Sequence, residues 1–442
     1  LKFNMPRLNT KSKFVNTYDL GGVVWKEYRQ SDVTWNRENL DVTLAYKHVV
    51  PKDRTETIKA SVSKIWGHRP SYYYLEGDSI SKSNSGGCPL ISFLQFDFKK
   101  MKPKLNWDAG AKMTYRRNDI FHQFYDKEDG VWWYSQQFSN DLLHQELIAA
   151  AYAMLSSKPD KPFSYKFGIR IENSTVWLKS DKESVNQKNN DIFIAPSMNL
   201  EYRFNKENTL ALTFGRRIGR PTYPQLNPYM SMVDATTFEQ GNMFLKPEKA
   251  NNLELAYALQ HKPVAFNVNL YASYTTNYIA QVAKLKGELL LLTYLNCPSD
   301  FKTGLDLSLM VSPLKWLNFT LSANTFYSQT KGEFEDVDIN NKGWANNSNL
   351  LVNFVFKTGT SVQLQYFISS PQYYPQFTAR FSHYLNVGIK QKFLKGALTV
   401  SALLTDAFAT NDWSIYSRNI IYNLDNTQAN KSRMFWLGIS YN

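Results

Sequence analysis

The densest group of basic side chains lies where an alternating apolar–polar segment runs into a long polar stretch. Arg216, Arg217 and Arg220 fall within five residues there. A guanidinium group is always protonated and pairs with carboxylates or phosphates through parallel N–H donors. The group could therefore capture an anionic ligand or dock a second domain. Contact with lipid phosphates or with neighbouring carboxylates would use the same chemistry.

Runs of adjacent aromatic residues form a second kind of candidate site. Trp132, Trp133 and Tyr134 are consecutive, and similar runs occur at residues 72–74 and 373–374. Tyr and Trp rings can stack a ligand, and they also collect where apolar surroundings meet water. The pattern predicts either a ligand platform or an interfacial girdle.

Basic residues also recur on the polar positions of two alternating segments. Lys112 and Arg116 belong to residues 105–116, and Arg170 belongs to residues 163–172. Since these positions share one face of a strand, their side chains would line the same surface. The predicted ligand contacts are therefore Arg216, Arg217, Arg220, Trp132, Trp133, Tyr134, Lys112, Arg116 and Arg170.

No catalytic or metal-binding constellation is recognisable. The six histidines are isolated from one another, and no phosphate loop, Gly-x-Ser-x-Gly or His-Glu-x-x-His pattern occurs. We therefore expect no enzyme, no cofactor and no bound metal. Cys88 and Cys297 both fall in predicted long-loop regions, and the sequence leaves open whether they pair.

Composition excludes several classes of protein. The 442 residues are 43% hydrophobic and 15% aromatic, which is not the composition of a disordered chain. The longest apolar run, Leu147 to Leu155, is far short of the roughly 20 residues of a spanning helix. The net charge of +13 is scattered rather than concentrated in a tail, so we expect no nucleic-acid partner.

Period-two alternation dominates the chain and predicts an all-β fold. In residues 105–116 every odd position is apolar and every even position is polar or glycine, and residues 163–172 repeat the pattern. Such segments form strands with one apolar and one wet face. Many run roughly ten residues, the length of a tilted membrane strand. Leu143 to Leu155 would also suit a buried helix, although its position favours a strand.

Short and long connections alternate, as in an outer-membrane barrel with short periplasmic turns and long extracellular loops. A soluble β-sandwich is not expected to alternate short and long connections in this way. We predict a transmembrane antiparallel β-barrel of about 18 strands filling residues 1–442, with a first strand near 17–28 and a last at 433–442. Long polar stretches at 117–142, 218–249, 330–346 and 405–432 would be the loops. The predicted hairpins lie near 40–66, 91–116, 143–178, 191–217, 250–276, 299–329, 347–368 and 380–404.

One segment carries a family resemblance. Gly241, Asn242, Leu245, Pro247 and Glu248, followed by Asn252, Glu254 and Leu255, resemble the Gly-Asn-Pro-x-Leu-x-Pro-Glu signature of TonB-dependent outer-membrane receptors, with Met243 in place of the first proline. The upstream stretch from Arg220 to Pro228 resembles the Bacteroidetes branch of that family. The closing residues 433–442 resemble the family's last strand. We expect the signature glycine to need a positive φ.

This resemblance implies a function and partners. The chain would be the barrel of a TonB-dependent transporter that binds a scarce nutrient at its extracellular loops and imports it. Family barrels have 22 strands, and no N-terminal plug domain or TonB box is recognisable in residues 1–442. The implied partners are the TonB complex acting through such a plug, outer-membrane lipid and lipopolysaccharide, a small-molecule, glycan or peptide ligand, and a surface lipoprotein. A plugless porin-like channel or a scaffold protein is the alternative.

Overall fold

The computed structural model is almost entirely β-structure. It describes residues 2–4, 7–20, 23–50, 54–75, 78–102, 105–158, 161–180, 185–232, 237–286, 289–335, 337–418, 423–428 and 432–441. No helix in this part of the chain is long and apolar enough to cross a membrane.

The elements are numbered here in chain order. The first part of the chain contains β1 (Lys2–Asn4), β2 (Arg7–Leu20), β3 (Val23–Val50), β4 (Arg54–Leu75), β5 (Asp78–Gly87), β6 (Leu90–Met101), β7 (Leu105–Glu128), β8 (Val131–Tyr134), β9 (Asn140–Ser157), β10 (Phe163–Ser180), β11 (Val185–Arg203) and β12 (Asn208–Gly219). The second part contains α1 (Tyr223–Leu226), β13 (Met230–Met232), β14 (Thr237–Gln240), β15 (Glu248–His261), β16 (Val264–Lys286), β17 (Leu289–Leu314), β18 (Leu317–Lys331), β19 (Glu333–Phe334), β20 (Val337–Asp338), β21 (Asn341–Val355), β22 (Thr360–Ser369), β23 (Gln372–Tyr374), β24 (Phe377–Ala379), β25 (Ser382–Phe393), a 3₁₀ turn (Leu394–Gly396), β26 (Leu398–Thr405), β27 (Trp413–Arg418), β28 (Asn423–Gln428) and β29 (Met434–Tyr441).

Eighteen long strands follow one another in an antiparallel meander, when β1 and β2 are counted as one edge strand. They are β1 with β2, then β3, β4, β6, β7, β9, β10, β11, β12, β15, β16, β17, β18, β21, β22, β25, β26 and β29. This confirms the predicted all-β antiparallel architecture and the count of about 18. Among the described residues no ladder joins β29 to β1 or β2.

The prediction of a first strand at residues 17–28 is wrong. That range holds the end of β2, a two-residue connection and the start of β3, and Leu20 pairs with Val23. The connecting sequence, Gly21-Gly22, is a hairpin-turn signal that the prediction overlooked. The region Leu143 to Leu155 is a strand, as favoured from its position, because it lies within β9.

The two ends of the sheet differ, as the sequence predicts. At one end, called the turn end, connections are short, such as 204–207 between β11 and β12. At the other, called the loop end, several strands run far beyond membrane thickness, and β3 reaches 28 residues. Much of the predicted loop 117–142 is therefore strand, because β7 continues to Glu128 and then pairs with β8.

Alternation gives the sheet an apolar outer and a polar inner face. Along the upper half of β9 the even-numbered side chains are buried, whereas the odd-numbered ones are more open. Large apolar side chains such as Leu94, Met113 and Ile169 stand exposed on the outer face, and Leu94 and Met113 are direct cross-strand partners. Lys112, one residue from Met113, therefore faces inward, as the alternation predicts.

Packing above the barrel wall holds the loops in place. Leu178, Leu226 and Leu245 form one buried apolar cluster, against which Met243 and Tyr294 pack. A second cluster joins Ala280, Val282, Cys297 and Ile339. Since these residues come from strand extensions and connecting segments, the loop end is a folded structure rather than a set of separate loops.

Candidate functional site

Five charged side chains meet on the inner face near the loop end. Arg116 lies on β7, Glu146 on β9, Arg170 and Glu172 on β10, and Arg220 directly follows β12. Arg116 and Glu146 are direct cross-strand partners. The period of two then places Arg170 and Glu172 on the same face of β10. We call these five residues the charge cluster.

Arg220 is the centre of the charge cluster. Its Nη2 donates to Glu172 Oε2 at 2.6 Å, and its Nε lies 3.4 Å from Glu146 Oε1. Arg116 donates to the other oxygen of Glu146 at 2.8 Å, and Arg170 pairs with the other oxygen of Glu172. The side chains of Glu146 and Glu172 are only 4% and 9% exposed. Three guanidinium groups therefore share two buried carboxylates, which leaves a net charge of +1 in the charge cluster.

A cavity of about 610 Å³ opens beside the charge cluster. It is lined by residues of β9, β10 and β11, by the segment between β12 and β15, and by Lys249 and Asn277. Lys249 donates to Asp191 Oδ1 across it at 2.8 Å. Within the described residues, Asp191 Oδ2 and Gln187 Oε1 are buried acceptors without a hydrogen-bond partner. The cavity wall thus offers acceptors that a bound molecule could satisfy.

His144 lines the same cavity, near the loop end of β9. Burial lowers its pKa, and the nearby Arg116 acts in the same direction, while Glu146 opposes both. Its Nδ1 lies 3.3 Å from the side-chain nitrogen of Asn118. The imidazole is therefore neutral near pH 7 and adds a polar group, not a charge, to the cavity wall. The described residues contain no group of three or more His, Cys, Asp or Glu side chains able to hold a metal ion.

The signature segment, Gly241 to Glu248, forms part of the cavity wall. The Gly241 N–H donates to the Asn227 carbonyl, and the Asn242 N–H donates to the Gln225 carbonyl, both at 2.7 Å. The Asn242 side chain reaches the carbonyl of Tyr294 at 3.1 Å. These bonds hold the signature segment against β17, and Leu245 of that segment lies in the cavity wall.

The expected reason for the signature glycine is wrong. Gly241 is not among the described residues with positive φ. A Cβ at Gly241 would instead lie 2.6 Å from two carbonyl oxygens, those of Gln225 and Pro224. Close backbone approach, not a left-handed conformation, therefore requires glycine at this position.

The three arginines of the predicted basic group occupy different environments. Only Arg220 joins the charge cluster. The guanidinium carbon of Arg216 lies 5.4 Å from the ring centre of Phe193, and Arg217 is exposed. Neighbouring residues on a strand point to opposite faces, so closeness in sequence did not bring these side chains together.

The other predicted contacts divide between the cavity region and a distant hairpin. Arg116 and Arg170 belong to the charge cluster, whereas the ammonium group of Lys112 sits 4.3 Å from the ring centre of Phe93. Trp132 lies on β8 opposite Lys127, eleven residues beyond Arg116 on β7, or about 36 Å of extended strand. Trp133 and Tyr134 are exposed there. The aromatic run therefore lies away from the cavity.

The ammonium groups of Lys82 and Lys127 lie 4.6 and 5.6 Å from a ring centre of Trp132. That ring is thus already in contact with two cations, which leaves less of its surface for a ligand.

Sequence reasoning missed the acidic half of the site. Glu146, Glu172 and Asp191 were not among the predicted contacts, and neither was Lys249, the partner of Asp191. The available signal was the alternation of His144 and Glu146 within an otherwise apolar segment. The contact between Lys249 and Asp191 joins residues 58 positions apart and had no local signal.

Comparisons with known proteins agree with this architecture. The model of the outer membrane protein β-barrel family matches residues 71–441. Among solved structures, the copper transporter OprC superposes with a TM-score of 0.62 at 10% identity, covering 99% of this chain and 82% of that one. The ferric citrate transporter FecA gives 0.66 at 11% identity, covering 99% and 70%. The siderophore receptor PiuA from Acinetobacter baumannii gives 0.64 at 9% identity, covering 99% and 74%.

At these identities the solved structures establish a shared fold. The family match covers most of the chain, and it confirms the expected class and the expected location. Membership of a Bacteroidetes branch stays a prediction. The chain belongs to the outer membrane protein β-barrel family and is a protein of the bacterial outer membrane.

Proposed function

We propose that this chain forms the barrel of an outer-membrane transport receptor. A scarce nutrient would be captured in the cavity at the loop end and imported through the barrel. Similar folds are those of proteins named as copper and ferric citrate transporters and a siderophore receptor. The observation that carries the proposal is the cavity of about 610 Å³ with the charge cluster at its wall. Volumes of about 300–1,000 Å³ are typical of small-molecule sites.

The cavity has the polar groups to orient a small molecule. Gln187 and Asp191 supply unpaired acceptors, and Arg220 and Lys249 supply donors. The apolar clusters beneath the loops and the hydrogen bonds of Gly241 support a preformed site, so little ordering is needed on binding. A ligand with both hydroxyl or amine donors and anionic or carbonyl acceptors would satisfy this wall.

Import through the receptor would need an energy source outside the barrel. We propose coupling to the TonB complex and the inner-membrane proton gradient through a plug domain that is not part of residues 1–442. Lipopolysaccharide and a surface lipoprotein are further proposed partners. No catalytic step is proposed.

Ligand capture can be tested without knowing the ligand. The protein is purified natively from outer membranes, denatured, and the released small molecules are identified by mass spectrometry. We expect a molecule that co-purifies with the native protein and with an Arg203→Gln control, but is strongly depleted in Arg220→Gln. Arg203 is a suitable control because its ion pair with Glu201 lies exposed near the turn end.

The alternative function is a plugless porin-like channel or a scaffold. Conductance in planar lipid bilayers distinguishes a channel. A steady open conductance with no co-purifying molecule would contradict the receptor and support a channel. Absence of both conductance and a bound molecule would leave the structural role.

A further inference from the structure

Two parallel rows of inner-face side chains cross six neighbouring strands, from β16 to β25. Within each row, every residue is the direct cross-strand partner of the next. The row nearer the turn end is Asn267, Ser308, Ser322, Asn349, Phe367 and Tyr384. The row two residues nearer the loop end is Asn269, Asp306, Asn324, Asn347, Ser369 and Ser382. We call the two rows together the polar track.

The polar track faces the barrel interior. The residues next to it in sequence include Leu270, Leu305 and Leu350, which are exposed apolar side chains of the outer face. Because successive side chains on a strand point to opposite faces, the polar track points inward. Five strand spacings of about 4.8 Å give each row a length of about 24 Å. The polar track is therefore long enough for a chain of several linked rings.

The polar track differs in charge from another part of the inner face. On β6 and β7 the inner face carries Lys99, Asp108 and Lys112, and the ammonium nitrogen of Lys99 lies 3.9 Å from Asp108 Oδ1. In the polar track Asp306 is the only charged residue. The charge cluster is also remote, since seven strand spacings, about 34 Å along the sheet, separate β10 from β21. The two walls therefore suit partners of different charge.

An open hollow of about 520 Å³ follows the polar track. Every residue of the polar track except Asn269 lines the hollow, and its lining residues include no lysine or arginine. The volume falls in the range of about 300–1,000 Å³ that is typical of small-molecule sites. The polar track gives this hollow a wall of amides and hydroxyl groups, with one carboxylate and two aromatic rings.

Acceptors of the polar track are available to a ligand. Among the described residues, Asn269 Oδ1 and Asn349 Oδ1 are buried and have no hydrogen-bond partner. The Asn324 amide donates to Asp306 Oδ1. Both cross-strand neighbours of Asp306 are asparagines, which leave its negative charge in place. Hydroxyl groups both donate and accept hydrogen bonds, as asparagine side chains do. A ligand with many hydroxyl groups would therefore satisfy this wall.

Two aromatic rings end the row nearer the turn end. Phe367 and Tyr384 stack with their ring centres 4.5 Å apart and their planes inclined by 23°. The preceding inward positions of β22 are Gln363 and Gln365, so Phe367 interrupts an otherwise polar series. A sugar ring presents C–H groups on its face, which pack on aromatic rings, and hydroxyl groups at its edge. The polar track thus offers a surface for both parts of a sugar ring.

We propose that the polar track binds an uncharged oligosaccharide inside the barrel. One sugar ring would pack against Phe367 and Tyr384, and the following rings would form hydrogen bonds with the amides and with Asp306. An acidic oligosaccharide would be excluded, because the lining residues include no lysine or arginine and Asp306 repels a second carboxylate. The polar track is separate from the cavity near the charge cluster. The proposal therefore goes beyond the function proposed above, and binding to the polar track needs no import.

Isothermal titration calorimetry on the detergent-purified protein tests the class of ligand. The neutral probes are cellohexaose, maltohexaose and laminarihexaose, and the acidic probe is hexagalacturonate, which has the same number of rings and a carboxylate on each. We expect at least one neutral probe to bind, and hexagalacturonate to bind about tenfold more weakly or not at all, because like charges repel. Binding of no neutral probe, or equally tight binding of hexagalacturonate, would overturn the proposal. Because binding is measured without import, a failure of import in cells would leave this result intact.

Two matched pairs of variants test the residues. Phe367→Leu should weaken binding of the neutral probe about tenfold, whereas Phe93→Leu, which removes the inner-face ring beside Lys112, should leave it unchanged.

Asp306→Asn should weaken binding of the neutral probe and strengthen binding of hexagalacturonate, so the ratio of the two affinities should change about tenfold. Misfolding cannot produce shifts of opposite sign. The control, Asp108→Asn, removes a carboxylate from the charged wall and should not change the ratio. Equal effects of Phe367→Leu and Phe93→Leu, or the same affinity ratio in Asp306→Asn as in the parent, would contradict binding at the polar track.

Discussion

Replacement of Arg220 by glutamine should destabilise the loop end. Removing one partner of a buried ion pair costs about 3–5 kcal/mol, because the remaining charge stays buried and unpaired. Here Glu146 keeps Arg116, and Glu172 keeps Arg170. We therefore expect a smaller loss, about 2–3 kcal/mol in the free energy of unfolding. The side chain of Arg220 is only 18% exposed, so solvent screening reduces this value little.

The assay is urea unfolding of the barrel in lipid vesicles, followed by tryptophan fluorescence. Arg203→Gln is the control, since the ion pair between Arg203 and Glu201 is 2.7 Å long but has side chains 43% and 27% exposed. Exposed pairs contribute about 0–1 kcal/mol, so the control should unfold nearly as the parent does. Addition of Glu172→Gln to Arg220→Gln should recover part of the loss. Equal stability of the two single variants would refute the assignment of Arg220 as the centre of the charge cluster.

Three further predictions concern the loop end. Burial and the nearby Arg69 lower the pKa of His122 to about 4, against about 6.5 in the unfolded chain, so this contribution to stability is present above pH 6.5 and should fall by about 2 kcal/mol from pH 7 to pH 5. Unfolding as a function of pH should lose about 2 kcal/mol less over this range in His122→Gln than in the parent, and an equal loss in both would contradict the burial of a neutral His122. Gly241→Ala should loosen the segment that precedes β15, because its Cβ would lie 2.6 Å from backbone oxygens. Limited proteolysis should then cleave that segment, and an unchanged cleavage pattern would contradict the close approach of Gly241 to these oxygens. Burial raises the pKa of Cys297 to about 11, so alkylation at pH 8 should label Cys88 alone in the folded protein, and a chain with no reactive thiol would indicate a disulfide instead.

Much of the barrel could be predicted from the sequence because the alternation of apolar and polar residues is a local pattern. A strand with one lipid face and one wet face must alternate, as residues 105–116 do, and the short turns must contain turn residues, as at Asn205. The Asn205 side chain accepts hydrogen bonds from the backbone of Glu207 and Asn208 at 2.8 Å. Such interactions span a few residues and can be read directly.

The first strand shows where this reasoning fails. Residues 17–28 span Gly21-Gly22, where the chain reverses between Leu20 and Val23, and the apolar run Val23-Val24-Trp25 that follows does not alternate. Period two alone does not distinguish one long strand from two paired strands. The prediction should have interpreted the glycine pair as a turn between two strands.

The candidate site was only partly predictable for a different reason. Arg116, Arg170 and Arg220 were identified by residue type, but their carboxylate partners come from strands whose register is set by distant pairing. β10 and β11 separate β9 from β12 in the sheet, so Glu146 meets Arg220 only because the segment after β12 turns inward. By contrast, the prediction grouped Arg216 and Arg217 because they are consecutive in sequence. Neighbouring side chains on a strand point to opposite faces, so these two do not lie together.

Solute uptake by living cells tests the central claim most directly. Cells that carry the complete native protein, its Arg220→Gln variant or its Arg203→Gln control are grown in a defined medium, and the depletion of each solute is followed by mass spectrometry. The account predicts at least one solute whose uptake saturates, stops when the proton gradient is collapsed, and is strongly reduced by Arg220→Gln alone. Uptake that is unsaturable and indifferent to the proton gradient and to Arg220 would contradict a receptor and indicate a channel.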